Sequence, residues 1–310
     1  MKYFLIINPR SGSGRSRKKS ARMLDGFRQT GLNFDHVFAS SYQSVRAQSE
    51  YANRKGYDAV IAVGGDGTVN AAINGFYDAG GKRISTACFG VLYTGTSPDF
   101  CKSYGIPLDE KDAVQTLVHR NTRRIRLGRI AFRNATGMEI DETRVFACCA
   151  NIGLGAGVAS MSNRIRKYTG DFAGTLIAIL GNLVSHGSFK MTATIDGITS
   201  EITRIVNISA GRTKYIASGI RVSDGMQDVD GRLYLLTAKN VSVRVLPKLL
   251  YQVYTGKFTS PEILEFRFMN IATFQSTGGS VGVEFDGDAA GCLPCSIDMA
   301  PDPLDLIVLP

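Results

Sequence analysis

Ala62-Val63-Gly64-Gly65-Asp66-Gly67-Thr68-Val69-Asn70 follows directly on the apolar run Tyr57-Asp58-Ala59-Val60-Ile61. The apolar run reads as a buried strand. The residues after the glycines place Val69, Ala72, Ile73 and Phe76 at helical spacing, so the segment is a strand, a turn and a helix. Gly64, Gly65 and Gly67 stand at the turn. Residues without a Cβ let the backbone approach a ligand, with N–H groups of the helix start pointing at it. A carboxylate in such an anion cradle, Asp66, is out of place unless a cation or a proton transfer involves it. The combination points to a nucleotide phosphate with Mg²⁺ nearby; the plain alternative is a glycine-rich turn with a solvated aspartate.

Outward from this segment, the first third of the chain repeats the same unit. Strand-like runs at residues 3–7, 34–38, 59–63 and 87–92 alternate with helical patterns near 16–30, 45–55 and 69–79, and another helix is predicted at 110–119. That rhythm predicts a doubly wound α/β domain with a parallel sheet and helices on both faces. Ligands of such sheets bind outside the carboxyl ends of the strands. Both Asn8-Pro9-Arg10-Ser11-Gly12-Ser13-Gly14 and Gly64–Thr68 sit there, immediately after strands. From about residue 123 the pattern changes to period-two alternation, in runs at 123–132, 144–152, 190–195, 202–208 and 233–237. Helices are predicted at 171–185 and 241–255, and further strands at 263–268, 272–275, 281–285, 295–297 and 304–309. This half reads as a mostly antiparallel second domain.

Composition bounds the alternatives. The chain has 310 residues, 44% of them apolar and 20% charged, enough for real cores and neither disordered nor fibrous. Its net charge of +9 gathers in clusters: Arg10, Arg15, Arg17, Lys18, Lys19 and Arg22; Arg120, Arg123, Arg124, Arg126 and Arg129; and Arg164, Arg166 and Lys167. Such clusters hold phosphates or an anionic membrane surface, or are solvated helix faces. The chain has no tryptophan, and no basic strand interleaved with aromatics of the kind that reads RNA stands out. The six cysteines are irregularly spaced, which argues for reduced thiols and a cytoplasmic protein. Cys292-Leu293-Pro294-Cys295 is a lone CxxC among strands and reads as incidental, and with only three histidines (His36, His119, His186) a structural zinc site is not expected. The most apolar helical stretch, residues 172–184, is 13 long, short of the ~20 that span a bilayer.

Five segments together resemble the diacylglycerol kinase catalytic-domain family of lipid kinases, which includes sphingosine and ceramide kinases: residues 8–14, Gly64-Gly65-Asp66-Gly67-Thr68, Gly95-Thr96-Ser97-Pro98-Asp99-Phe100, Asp228-Val229-Asp230-Gly231 and Glu284-Phe285-Asp286-Gly287-Asp288. They correspond, in order, to the family's NPxSG turn, GGDGT loop, GTxNDF loop, metal-site segment and terminal DGE. The resemblance covers essentially the whole chain. It implies an NAD kinase/diacylglycerol kinase-like fold, with an ATP-binding α/β domain over residues 1–123 and 300–310 and a β-sandwich-like lid domain over 124–299 that takes the lipid. By the same resemblance, Asn8, Pro9, Arg10, Ser11, Gly12, Gly64, Gly65, Asp66, Gly67, Thr68, Asn70, Gly95 and Thr96 surround the nucleotide, with Ser40 in the place of a family threonine. Asp230, with main-chain oxygens of Gln227 and Arg232, forms a structural Mg²⁺ site. Asp286 is the general base with Asp288 beside it, and Asp66 either holds the catalytic Mg²⁺ or is a rival base.

The chain departs from the family pattern at several of these positions. Pro98 stands for the asparagine of GTxNDF, Tyr93 for a proline just before that loop, Ala71 for a glutamate after GGDGTxN and Asp288 for the terminal glutamate. Arg126 falls where an aspartate is common. The expected activity is ATP- and Mg²⁺-dependent phosphorylation of a lipid hydroxyl, with NAD phosphorylation and a catalytically inactive nucleotide- or lipid-binding protein as alternatives. The expected partners are a lipid substrate and an anionic membrane surface touched peripherally from the cytoplasmic side, without nucleic acid; the oligomeric state is left open, with a homodimer among the options. Apolar residues around 152–158 and 172–183 are candidates for the acyl-chain surface, or for ordinary lid-domain core.

Overall fold

Three strands carry side chains buried on both faces, and burial of that kind belongs to the middle of a parallel sheet covered by helices. They are β1 (Lys2–Ile7), β3 (Ala59–Gly64) and β4 (Cys88–Tyr93). In this computed structural model, which describes residues 1–11, 15–134, 141–153, 188–216, 220–222, 231–242, 244–286 and 288–309, they lie side by side. With β2 (Asn33–Phe38), β5 (Asn121–Ile125) and β18 (Leu304–Val308) they form a six-stranded sheet of order β2-β1-β3-β4-β18-β5. All neighbours are parallel except β5, which runs against β18. The edges β2 and β5 are the exposed strands, and β5 carries Arg123 and Arg124, charges that discourage pairing with another chain.

The helices are α1 (Arg15–Gln29), α2 (Tyr42–Arg54), α3 (Asp66–Asn74), α4 (Asp99–Tyr104) and α5 (Glu110–His119). On one face Met23, Leu24 and Phe27 of α1 and Ala113, Val114 and Leu117 of α5 pack over Tyr3, Leu5, Ile7, Ile61 and Val63. Helix α2 opens with a capping box, Ser41 accepting from the Ser44 N–H, and α5 opens on Asp109, which accepts from the N–H groups of Lys111 and Asp112. Helix α3 opens on Gly65 with no side-chain cap. Residues Met1–Leu127 and Ala300–Pro310 form this unit, and Gly128–Met299 form a second.

The second unit is antiparallel throughout. Its strands are β6 (Gly128–Asn134), β7 (Asp141–Phe146), β8 (Cys149–Gly153), β9 (Phe189–Ile195), β10 (Ile198–Gly211), β13 (Leu233–Lys239), β14 (Leu264–Met269), β15 (Ala272–Ser276), β16 (Gly282–Phe285) and β17 (Asp288–Met299), with a small pair β11 (Tyr215–Ile216) and β12 (Ile220–Arg221). The order runs β14-β13-β10-β8-β16-β17-β15-β9, and β9 pairs again with the long β10, so the sheet closes on itself around Ile152, Met191, Ile208, Phe274, Val283 and Ile297. Closure through β9 and β10 gives the sandwich-like core, with β14 and β7 left as edge strands. One helix, α6 (Leu246–Thr255), packs Leu246 and Leu249 beside Tyr234 and Leu236 of β13.

Several predicted elements change. The run at 123–132 is two strands in two sheets, β5 and β6, broken at Arg126-Leu127. The new strand starts at Gly128, where the Phe146 ring occupies the place of a side chain, 2.1 Å from where a Cβ would lie. The run at 144–152 is likewise two strands, β7 and β8, broken at Ala147-Cys148. Helix 241–255 begins only at Leu246, with a proline in its first turn. Helix 69–79 begins at Asp66 and ends at Asn74, and α4 was not predicted at all. The predicted helix 171–185 lies outside the described residues.

Candidate active site

At the carboxyl edge of the six-stranded sheet, the turns after β1, β3 and β4 are tied together by short bonds. The Asn8 N–H donates to the Val63 carbonyl at 2.9 Å, and the Asn8 side-chain amide donates to Thr68 Oγ1 at 2.9 Å. Its amide oxygen accepts from the Arg10 N–H at 3.0 Å, folding the first turn back over Asn8. The Thr94 N–H donates to the Gly64 carbonyl at 2.8 Å, and its hydroxyl reaches Ser11 Oγ at 3.4 Å. Where these turns meet, there is no room for side chains. A Cβ on Gly95 would lie 2.6 Å from Gly65 Cα, one on Gly64 would lie 2.4 Å from the Thr68 side chain, and one on Gly65 would lie 3.2 Å from Ser11 Oγ. The glycines thus bring bare backbone together just where α3 begins uncapped, the arrangement that receives anions.

Asp66, the first residue of α3, is half-buried. Its Oδ2 accepts from the Tyr93 hydroxyl at 2.7 Å, and its Oδ1 accepts a long contact of 3.5 Å from the Phe100 N–H at the start of α4. Tyr93 is only 2% exposed. Burial, and then the neighbouring Asp66 charge, push its hydroxyl far above the ordinary tyrosine range, so it remains a proton donor. The Cys101 thiol in α4 is pushed up by the same two causes.

The other first-unit candidates fall around this centre in different ways. Pro9 and Ser11 are half-buried at the first turn and Gly67 in the first turn of α3, whereas Arg10, Ser40 and Thr96 are exposed. Ser40 follows Ala39, whose N–H donates to the Ile7 carbonyl, so it stands at the same sheet edge as Asn8. Asn70 is buried inside the unit, its amide oxygen accepting from Tyr42 and Asn74. Gly12 lies outside the described residues.

In the second unit Asp286 sits in the turn between β16 and β17 in the left-handed region, φ 49°, which aspartate and asparagine tolerate better than most residues. Its Oδ2 accepts from the Ala147 N–H at 2.8 Å, and its Oδ1 accepts from the N–H groups of Cys148 and Cys149 at 2.8 and 3.0 Å. The Asp286 N–H closes the ring by donating to the Cys149 carbonyl at 2.9 Å. The break between β7 and β8 therefore has a cause: three successive backbone N–H groups leave the ladder and turn onto one carboxylate. Two residues earlier, buried Glu284 accepts from Asn151 of β8, whose own oxygen accepts from Ser209 of β10.

Asp288 opens β17, but only its backbone is described. Of the residues expected at a structural Mg²⁺ site, Gln227 and Asp230 lie outside the described residues. The Arg232 carbonyl accepts from the Arg212 guanidinium at 2.9 Å, a positive charge beside the oxygen meant for a cation. Among the described residues no cluster of three or more metal-ligating side chains occurs, the cysteines are free thiols, and no helix is long and apolar enough to cross a membrane.

Sequence reasoning missed the part Tyr93 plays, the N–H groups of residues 147–149, and the Glu284–Asn151–Ser209 chain. Tyr93 stood out as a departure from the family pattern, with no role attached. The others carried no local signal.

A doubly wound sheet with a glycine cradle at its carboxyl edge, followed by a closed antiparallel sheet, is the fold of diacylglycerol kinase and NAD kinase structures. The diacylglycerol kinase catalytic domain matches residues 2–130, and the YegS C-terminal NAD kinase β-sandwich-like domain matches residues 148–308. The chain belongs to the diacylglycerol kinase catalytic-domain family. It is a phosphotransferase with an alcohol group as acceptor. It is 26% identical over 303 residues to a diacylglycerol kinase of Mycobacterium tuberculosis, covering 97% of this chain and 93% of that one. A diacylglycerol kinase of Bacillus subtilis is 32% identical over 128 residues, 41% of each chain. Among solved structures, a diacylglycerol kinase from Bacillus anthracis superposes with a TM-score of 0.70 at 17% identity, covering 100% of this chain and 97% of that one. Yeast NADH kinase superposes at 0.56 with 8% identity, covering 100% and 84%; both likenesses are of fold.

Proposed function

We propose that the chain transfers the γ-phosphate of ATP, with Mg²⁺, to the hydroxyl of a membrane lipid, diacylglycerol being the first candidate because the curated relatives carry that name. The observation that carries the nucleotide half is the contact of Gly65 with Gly95 beside the uncapped start of α3, a cradle that any Cβ would fill. Its bare N–H groups suit phosphate oxygens, and Asp66 offers the hard oxygen that Mg²⁺ prefers. When bound, Mg²⁺·ATP supplies the phosphoryl group and neutralises charge as it leaves. Asn8 and Thr68 hold the two turns in register, and the exposed Arg10 adds positive charge at the same edge.

Asp286 receives the acceptor hydroxyl in this reading. The backbone nest fixes the direction of its carboxylate. Phosphoryl transfer runs through a loose transition state, so the base orients the hydroxyl and takes its proton late; such a group contributes about 10²–10⁴-fold. The basic clusters fit attraction to an anionic lipid surface. No step is assigned to a Mg²⁺ ion at Arg232, whose oxygen already faces Arg212.

The test is transfer of labelled γ-phosphate in mixed micelles containing diacylglycerol, ceramide, a sphingoid base and phosphatidylglycerol, with NAD as a soluble arm and Asp286→Asn as control. A labelled lipid made only by the unchanged chain supports the reading and names the acceptor. Labelled NAD, or ATP binding without any product, overturns it.

A further inference from the structure

Tyr93 is a buried side chain of β4 whose hydroxyl meets the Asp66 carboxylate beside the glycine cradle. We propose that Tyr93 is a positioning residue: its hydroxyl fixes the Asp66 carboxylate in the orientation from which it serves the divalent cation of the bound nucleotide. This rests on the nucleotide reading given above.

The hydroxyl lies 2.7 Å from Asp66 Oδ2, against 3.5 Å for the Phe100 N–H on Oδ1, so Tyr93 makes the short contact. The ring tip lies beneath the cradle. A Cβ on Gly95 would lie 2.6 Å from the Tyr93 hydroxyl and 2.7 Å from its Cζ. The bare position of Gly95 therefore leaves room for the Gly65 backbone and the tyrosine ring tip together. The N-cap of α3 is Gly65, which has no side chain to offer the helix start, and the Asp66 carboxylate one residue on accepts from the Tyr93 hydroxyl. A carboxylate only accepts, so the bond has one polarity, with tyrosine donating and aspartate accepting. Carboxylates that ligate metals are oriented by such outer hydrogen bonds, and losing one costs about 10–100-fold in metal affinity or activity.

The experiment compares Tyr93→Phe, Asp66→Asn and Tyr77→Phe. Tyr77 is a buried tyrosine whose hydroxyl donates to the Asp302 carbonyl, away from Asp66, and it reports the cost of losing a buried hydroxyl as such. Mn²⁺ binding to the ADP-loaded protein is read by electron paramagnetic resonance, metal-free ADP binding by calorimetry, and the Mg²⁺ concentration for half-maximal turnover by kinetics. Tyr93→Phe should weaken Mn²⁺ binding and raise the Mg²⁺ requirement about 10–100-fold, with metal-free ADP affinity unchanged and Tyr77→Phe normal in all three. In the unchanged chain, the ¹³Cζ resonance of Tyr93 should move on adding Mg²⁺ to the ADP complex, a readout that stands even if the phenylalanine variant does not fold. A Mn²⁺ affinity that falls in Asp66→Asn but not in Tyr93→Phe, or a Tyr93 resonance indifferent to Mg²⁺, overturns the proposal alone. Unchanged Mn²⁺ binding in Asp66→Asn overturns the nucleotide reading of Asp66, and this proposal with it.

Discussion

Asp66 and Asp286 are both half-buried aspartates beside a glycine turn, yet they are held by opposite means. Asp66 takes a short bond from a side chain, the Tyr93 hydroxyl, and a long one from the Phe100 backbone. Asp286 relies on three backbone N–H groups and a left-handed turn. A backbone nest survives most substitutions around it and fixes the carboxylate rigidly. A hydroxyl is lost with a single atom, so the orientation it sets can be removed by one conservative substitution. The difference suits the two jobs proposed: a base must be aimed at one proton, whereas a cation site accommodates a ligand that arrives and leaves each turnover.

The largest expected effect breaks the Asp286 side of the comparison. Asp286→Asn keeps the size and tolerates the left-handed φ, yet it removes the proton acceptor and sets an amide among N–H donors. Turnover should fall by about 10²–10⁴-fold while ADP binding stays normal; steady-state kinetics with calorimetry reads both. A variant that loses ADP binding as well would mean that the nest supports more than the base.

Next is the cradle. Gly95→Ala places a Cβ 2.6 Å from Gly65 Cα and from the Tyr93 hydroxyl, and neither the backbone nor a buried ring yields easily. Overpacking of this kind costs about 1–3 kcal/mol, equivalent to roughly one to two orders of magnitude in nucleotide affinity if it falls on the cradle. Gly278→Ala, where nothing lies within 4 Å of the added carbon, should leave the affinity alone.

The same contrast decides what was legible in the sequence. The run 59–64 is apolar throughout and its glycines follow at once, so strand, turn and ligand class are written in adjacent residues. Asp286 was legible as a motif residue, but its nest was not. Val145-Phe146-Ala147-Cys148-Cys149-Ala150 continues apolar without a turn signal, and the residue that breaks it lies 138 positions away from Cys148. Tyr93 showed itself as an unusual residue, but its partner stands 27 positions earlier on another element, and spacing alone does not pair them. The split at Arg126-Leu127 was hidden likewise, since the ring that demands Gly128 comes from Phe146 of the neighbouring strand. Local periodicity reports what each segment buries, while such breaks are imposed by distant partners.

A smaller effect tests whether holding by side chain is the more fragile device elsewhere in the first unit. Ser41 and Ser44 cap α2 by exchanging side-chain bonds with each other's backbone. Ser41→Ala should cost about 1 kcal/mol, read as a lowered midpoint in urea with unchanged slope. No loss would mean that the packing of Val45, Ser49 and Ala52 alone holds the helix start.

The smallest effect sharpens the backbone side. Asp109 is a reduced version of Asp286, a carboxylate accepting the N–H groups of Lys111 and Asp112 at 2.9 and 3.2 Å, but exposed to water. Those two bonds hold its pKa below the ordinary aspartate value, the Asp112 N–H contributing most. A carboxylate whose folded pKa lies below its unfolded value of about 3.9 stabilises the fold fully above that value. The contribution is lost as the pH falls through the lower, folded value. Amide exchange in the first turn of α5 should therefore lose protection as the pH drops from about 4, while the serine-capped first turn of α2 shows no matching step. Asp109→Ser keeps an acceptor for the same N–H groups but removes the titration, and should flatten the α5 profile to that of α2. A step that persists in Asp109→Ser would place the proton elsewhere, with Glu110 the next candidate, since the Arg22 guanidinium holds its carboxyl low in the same turn.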